Sequence, residues 1–302
     1  MHPRILLTSI LILGSTQAGA RSWVSLKGGA SADFRKAAIS AGSHAGSDQE
    51  WGLQGSFTQS QSSLVNSNGL LVARELGLGG GYYPLDQFWD LSLDLSGGND
   101  SSDTRFGGGS ATLGLNAKFD SVKTLLSLNG GAEHFLFAPE ESLRQDSGGL
   151  GLSFNGDFFS IGASTEVYRY NREIVGPGQS GSSSSTIGQP GGLFGLLPPT
   201  GSSTVATPGG PGQQDPFLPG FPTRDWSARL GVNLGSGAEI GGNYSQTELL
   251  GSGTWVKVAG GYWRQELNSD LVLRLGGDKA VEGGSDGPYF SGAFTWSFGS
   301  YL

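Results

Sequence analysis

The chain has 302 residues, 54 of them Gly, 13 Pro and none Cys, with 18 Lys and Arg against 26 Asp and Glu for a formal net charge of -8. Gly at more than twice its usual share of about 7% removes an ordinary helical protein, since each Gly in a helix interior costs about 1 kcal/mol relative to Ala. The lack of Cys excludes a disulfide scaffold and a Cys-based zinc site, and the acidic balance excludes a nucleic-acid partner, which needs clustered Lys and Arg.

The first segment reads as an export signal. Met1 to Arg4 makes a short basic start, Ile5 to Gly14 an apolar run, and Ala18-Gly19-Ala20 a small-residue cleavage site, the three regions in the order that export requires. The apolar run is too short for a membrane-spanning helix, which needs about 20 residues. Residues 1–20 are therefore assigned to a signal peptide and 21–302 to the mature fold. Every later apolar stretch is soon interrupted by Gly, Ser or charge, so a membrane, if met, is crossed by strands.

From Ser22 onward the dominant period is two. Trp23 to Gly29 and Phe34 to Ser43 form the arms of a first hairpin. Leu70 to Gly79 is awkward, because Arg74 and Glu75 fall in opposite phases: one must face lipid, or the strand is bulged or cut short there. In the next strand Trp89, Leu91, Leu93 and Leu95 alternate with Asp90, Ser92, Asp94 and Ser96, which puts large apolar groups on one face and polar groups on the other. Leu150, Leu152 and Phe154 follow the same rule. So do Phe159, Ile161, Ala163, Thr165 and Val167, and later Ala228, Leu230, Val232 and Leu234. Two environments suit such an apolar face, the dry interior of a soluble sandwich or lipid around a closed barrel with a wet interior. The polar face is rich in Gly, Ser and Asn rather than Lys and Glu, which favours the barrel lumen over a solvated outer surface.

Connection lengths support the same architecture. The links at Pro84 to Gln87, Phe119 to Ser121, Asn155 to Asp157, Gly235 to Gly237 and around Asn268 are short. Those at Gln59 to Gly69, Gly98 to Asp103, Pro139 to Gly148, Asn171 to Arg224, Gly251 to Gly253 and Gly283 to Gly287 are longer. Alternating tight turns and longer loops give an all-β, transmembrane, antiparallel up-and-down barrel of about 14 strands, with 12 and 16 as alternatives.

The segment 171–224 stands apart as a long Gly/Pro/Ser-rich extracellular loop. Its composition buries too little apolar surface to order itself. Two apolar islands, Leu193 to Pro199 and Phe217 to Pro222, give a second reading: a constriction in the mouth, or an extended epitope for an envelope protein partner.

At the C-terminus Phe290, Gly292, Phe294, Trp296, Phe298, Ser300 and Leu302 share one phase. This resembles the closing strand of Gram-negative outer-membrane β-barrel proteins. The resemblance implies a site in the bacterial outer membrane, contact with its lipid, and an assembly signal in Phe294, Trp296, Phe298 and Leu302 read by the barrel-assembly machinery. Leu302 departs from it, standing where that class usually ends in an aromatic. The architecture is porin-like, and the implied function is a passive channel for small hydrophilic solutes. The alternative is a non-transporting structural or docking barrel in an envelope assembly.

For the channel, the residues expected to line the lumen are Asp90, Asp94, Glu166, Arg229, Glu239, Lys257 and Arg274, with Lys118 and Lys123 in the same phase. Glu166 and Arg229, on the strands flanking the long loop, face each other if that hairpin closes near Tyr170 and Asp225. Trp23, Trp51, Trp89, Trp226, Trp255, Trp263 and Trp296 mostly sit near strand ends or in outward phase, as interfacial girdles would have them. No enzyme is expected: Glu133 and His134 are adjacent on a strand and so point to opposite faces. Gly79 to Gly81 and Gly107 to Gly109 open no helix and read as bulges, bends or places of close backbone approach. No cofactor motif and no calcium-loop spacing is present, so neither a cofactor nor a metal is expected. Outer-membrane fractionation with N-terminal sequencing is expected to return a mature chain beginning at Arg21; recovery as a soluble periplasmic protein overturns the barrel reading.

Overall fold

The computed structural model describes residues 21–32, 34–45, 51–62, 71–84, 88–101, 105–119, 121–137, 141–171, 221–250, 253–283 and 287–298. The proposed signal peptide, Leu302 and nearly all of the long loop lie outside the described residues. Within them run fourteen strands: β1 (Arg21–Ala30), β2 (Phe34–Ala45), β3 (Trp51–Ser62), β4 (Leu71–Tyr82), β5 (Trp89–Asp100), β6 (Arg105–Phe119) and β7 (Val122–Phe137). The second half comprises β8 (Glu141–Asn155), β9 (Phe159–Tyr170), β10 (Pro222–Gly235), β11 (Ala238–Leu249), β12 (Trp255–Asn268), β13 (Leu271–Glu282) and β14 (Pro288–Phe298).

Each strand pairs antiparallel with its sequence neighbours, and β14 returns to pair with β1, so the sheet closes. The closing seam runs without a break from Ser22↔Phe298 to Ala30↔Phe290. Closure leaves no edge strand, and in lipid an edge would leave unpaired N–H and C=O groups that cost several kcal/mol each. For fourteen strands spaced about 4.8 Å apart and tilted about 40°, the backbone cylinder is about 28 Å across. Inward side chains reach only part of that width from each wall.

The pleat sorts side chains as the alternation requires. On β5, Leu91, Leu93 and Leu95 are exposed on the outer surface, whereas Asp90 and Asp94 are buried on the inner one. On β9 the burial alternates residue by residue, with Ser160, Ser164, Glu166 and Tyr168 inside. Arg74 and Glu75 follow the same rule without a bulge. The register through Gln59↔Arg74 and Thr58↔Glu75 is regular, so Glu75 points inward and Arg74 outward near the loop end of β4.

At that end the pattern inverts. Inward positions there carry Phe34, Phe106, Phe135, Leu143, Leu249, Val256 and Val258, all buried. Outward positions on the same stretches carry Arg35, Arg105, His134, Arg144 and Glu248. Phe106, Phe135, Leu143 and Phe221 form one apolar cluster with Tyr170 and Leu250 packed against it. Leu249, Val256 and Val258 form another with Ala280 and Tyr289. The strands thus continue past the lipid-facing belt into a zone where the outside is polar and the inside apolar.

This extension corrects several expected loops. Glu141 to Gly148 belongs to β8 rather than to a link, β5 continues to Asp100, β3 to Ser62, and β10 starts at Pro222. Trp23 is also corrected: it lies inside the barrel, 2% exposed, with its indole over Gly42, where a Cβ would stand 2.8 Å from the ring. The other girdle assignments agree with the structure where rings are described. Trp51, Tyr82 and Trp89 form an outer chain near the tight turns, with centroids 4.6 and 5.7 Å apart.

Leu93 is 56% exposed in the middle of the outer belt. Leu93→Arg is expected to destabilise the barrel by about 2–4 kcal/mol in urea unfolding from lipid vesicles, as a charge at the bilayer midplane does. Ser92→Asn, one position along and facing inward, is expected to change stability by less than about 1 kcal/mol.

Candidate functional site

The lumen is built from one residue in two on every strand, and its charges divide it into two walls. On β4 to β9 the inward charged groups are Glu75, Asp90, Asp94, Asp100, Glu133 and Glu166. Lys118 and Lys123 face each other beside the β6–β7 turn. The other wall, β10 through β14 to β2, carries Arg229, Arg264, Arg274, Lys27 and Lys36 together with Asp225, Glu239, Glu266 and Asp278.

On the mixed wall opposite charges and hydroxyls meet. Tyr262 Oη donates to Glu239 Oε1 at 2.5 Å, and Ser160 Oγ donates to the same oxygen at 3.2 Å. Arg274 lies over the Tyr262 ring, its Cζ 4.4 Å from the centroid, a cation–π stacking with the carboxylates of Glu239 and Asp278 in electrostatic reach. Asn243 Nδ2 donates to Asp278 Oδ1 at 2.9 Å. On the acidic wall the donors are amides: Asn116 Nδ2 to Asp90 Oδ2 at 2.6 Å, Gln54 Nε2 to Asp94 Oδ1 at 3.3 Å, and Asn129 Nδ2 to Glu166 Oε1 at 3.4 Å.

Of the residues expected in the lumen, Asp90, Asp94, Glu166, Arg229, Glu239 and Arg274 face inward. Lys257 does not. Its neighbours Val256 and Val258 fill the inward positions, and Lys257 stands opposite Gln246 on the outer surface, ion-paired with Glu282. The apolar inward phase of the loop-end zone is the reason: counting polar residues as inward fails there. The pairing of Glu166 with Arg229 is likewise corrected. Glu166 stands opposite Asp225, and Arg229 opposite Gly162, so the two are offset by four positions, about 13 Å along the strand. The hairpin closes farther from the barrel's middle than expected because Phe221 packs on Tyr170 and Phe135, with centroids 5.7 and 5.6 Å apart. Tyr170 Oη also donates to the Pro222 carbonyl at 2.6 Å.

Sequence reasoning did not single out Glu75, Glu133, Lys27 or Lys36 as lumen residues. The outward phase of Leu76 and Leu78 was the available signal for Glu75, and His134 drew attention from its inward neighbour Glu133. Phe294, Trp296 and Phe298 sit on the outer face of β14 at the closing seam; Leu302 lies outside the described residues. Close approach explains the Gly runs: a Cβ on Gly79 would meet Asp94 Oδ1 at 2.3 Å, and one on Gly108 would meet the Glu133 Cα at 3.0 Å. The register across both runs is regular, so they are not bulges. Among the described residues no cluster of three or more His, Asp or Glu has metal-binding geometry.

A closed antiparallel barrel with an apolar outer belt, aromatic rings near its rim and a polar, charged interior is a transmembrane β-barrel protein. No protein-family model matches the chain, and no curated protein sequence matches it. Solved structures do. The monoaromatic hydrocarbon channel CymD aligns over 100% of this chain and 94% of its own, with TM-score 0.55 and 10% identity. The Pseudomonas putida toluene transporter TodX aligns over 98% and 93%, with TM-score 0.48 and 10% identity. CdiB from Acinetobacter baumannii aligns over 93% of this chain at TM-score 0.47 and 9% identity, and this chain spans 60% of its length. At this identity the likeness to CymD shows the fold, a closed antiparallel β-barrel, and the fold alone.

Tyr262→Phe is expected to cost about 1.5–3 kcal/mol in urea unfolding from vesicles, because it removes a buried hydrogen bond to a charged acceptor. Lys257→Gln, which breaks an exposed pair on the outer surface, is expected to cost less than about 1 kcal/mol.

Proposed function

We propose that this protein is a passive channel of the bacterial outer membrane, admitting small hydrophilic solutes through the barrel. The observation that carries the reading is the inner wall itself. Polar side chains from every strand, with charged ones among them, face a cylinder about 28 Å wide, too wide for side chains from the walls to fill in the way they fill an eight-stranded barrel. The fold agreement with CymD, a hydrocarbon channel, supports the reading at the level of architecture. A signal peptide at 1–20, assembly through the C-terminal aromatics and contact with outer-membrane lipid complete it, as does the Gly/Pro/Ser-rich segment between β9 and β10, which offers itself to an envelope partner.

Reconstitution in planar bilayers tests it. The wild type is expected to conduct. Under a salt gradient at low ionic strength, where the Debye length is about 30 Å at 0.01 M, Glu166→Gln should shift the reversal potential toward anion preference. Arg229→Gln should shift it toward cation preference, and Lys257→Gln, on the outer surface, should shift it less than either. A folded barrel that never conducts overturns the channel reading in favour of a docking barrel.

A further inference from the structure

We infer that the outer face of the barrel at the loop end of β4 to β9 is a docking surface for a lipid whose head group carries two phosphates. The inference goes beyond the channel reading and holds whether or not the barrel conducts.

Four strands of this arc present an arginine on an outward position: Arg74 on β4, Arg105 on β6, Arg144 on β8 and Arg169 on β9, all exposed. Arg74 and Arg105 stand opposite Asn99 from its two sides, so their Cα atoms are about 10 Å apart. Arg144 is opposite His134, and Arg169 is opposite Asp146 on the strand that also carries Arg144. Among the described residues Asp146 is the one acid on the outward loop-end positions of these strands, and Arg144 already holds it, Nε to Oδ1 at 2.9 Å. Arg74, Arg105 and Arg169 are in no ion pair among the described residues. Glu75, Asp100 and Glu133 turn into the lumen, on the other side of the sheet. Asp103 and Glu140, in the adjoining links, lie outside the described residues. Farther round the ring cations are neutralised where they stand: Arg224 pairs with Glu248 at 3.3 Å and Lys257 with Glu282, which leaves Arg35 and Lys279.

The arc sits at head-group depth. Arg74 is the next outward residue beyond Leu76, and Arg169 the next beyond Val167, both exposed apolar groups of the lipid-facing belt. Two residues on a strand tilted about 40° rise about 5 Å along the barrel axis, which lifts a guanidinium from hydrocarbon into the phosphate layer. The wall beneath is bare. Gly97, Gly107, Gly109, Gly130, Ala132 and Gly148 are adjoining outward positions on β5 to β8, bordered on the membrane side by exposed Leu95, Leu128 and Leu150. A Cβ on Gly107, Gly130 or Gly148 would meet a single backbone oxygen, at 3.6, 3.7 and 3.9 Å, so the wall is dented there by the depth of a side chain. The body of the lipid lies in the dent while its phosphates reach the arginines above. Arginine suits this better than lysine, because its planar fork holds a phosphate through two N–H groups. A second copy of the chain docked through the same face would bring the same uncompensated arginines to the contact, and like charges there oppose association.

Microscale thermophoresis of the full barrel in dodecyl maltoside micelles tests this with three probes: a diglucosamine lipid carrying two phosphates, phosphatidylglycerol with one, and inorganic pyrophosphate with no acyl chain. At about 0.1 M salt, where exposed charges still act over about 10 Å, the diphosphorylated lipid is expected to bind at least about tenfold more tightly than phosphatidylglycerol, and pyrophosphate not to displace it. The double variant Arg74→Gln, Arg105→Gln, checked for heat-modifiable gel mobility, should weaken the diphosphorylated lipid about 25-fold, at about fivefold for each arginine. The double variant Arg35→Gln, Lys279→Gln, which removes cations farther round the ring, should weaken it by less than about threefold. Equal affinities for the two lipids in the wild type overturn the proposal. An equal loss in the two double variants does so as well, since the attraction then belongs to the whole rim. Displacement by pyrophosphate at the lipid's own concentration assigns the arginines to free phosphate and overturns it too. So does a dimer in micelles that Gly107→Trp abolishes, which puts a second copy on this face. The wild-type comparison of the two lipids decides even if a variant fails to fold. Conductance is read apart: a barrel that binds the diphosphorylated lipid and never conducts keeps this surface and removes the channel.

Discussion

Every backbone N–H and C=O that crosses a bilayer must find its partner inside the protein, and a sheet meets that demand only by closing on itself. The seam between β1 and β14 is where the demand is met here. Its nine register pairs from Ser22 to Ala30 tie the first strand to the last, so the lumen does not exist until the C-terminal strand is in place. The outward row of Phe290, Phe294, Trp296 and Phe298 anchors that strand in the apolar belt. Its inward partners, among them Thr295 with its oxygen 3.0 Å from that of Ser25, are small enough to leave the interior free.

Once the cylinder is closed, solvent sets its chemistry level by level. At the belt, lipid is outside and polar groups turn in. Above it, water and polar surface are outside, and the same period-two alternation turns Phe106, Phe135, Leu143, Leu249, Val256 and Val258 inward. The lumen is therefore polar through the membrane and apolar at the loop end. A polar lumen with an apolar collar differs from a uniformly wet one: in the proposed channel, a solute passing the collar leaves part of its water behind.

The charge layout follows from the same placement. The wall from β4 to β9 carries acids served by amides and hydroxyls, whereas the wall from β10 to β2 mixes both signs around Glu239, Tyr262 and Arg274. Formal net charge says nothing of this division, because it arises from which strands stand side by side around the ring.

Much of the fold was legible in the chain. The alternation around Leu91, Leu93 and Leu95, the short turns at Phe119 to Ser121 and Gly235 to Gly237, and the terminal aromatics point to an antiparallel barrel of about fourteen strands, because side-chain period and turn spacing are local properties; closure at fourteen rather than twelve or sixteen came from the pairing of β14 with β1. The inward assignments of Asp90, Asp94 and Glu239 were legible for the same reason: they lie within the belt, where polar means inward. What only the tertiary structure decided are the features that depend on where the belt ends. Lys257 faces outward because its strand has left the lipid, and Glu141 to Gly148 is strand because Leu143 and Phe135 pack together inside. Glu166 meets Asp225 rather than Arg229 because Phe221 anchors the hairpin against Tyr170. Each depends on contacts between distant segments, and a reversal of phase at a boundary set by solvent leaves no mark on the local alternation that the chain displays.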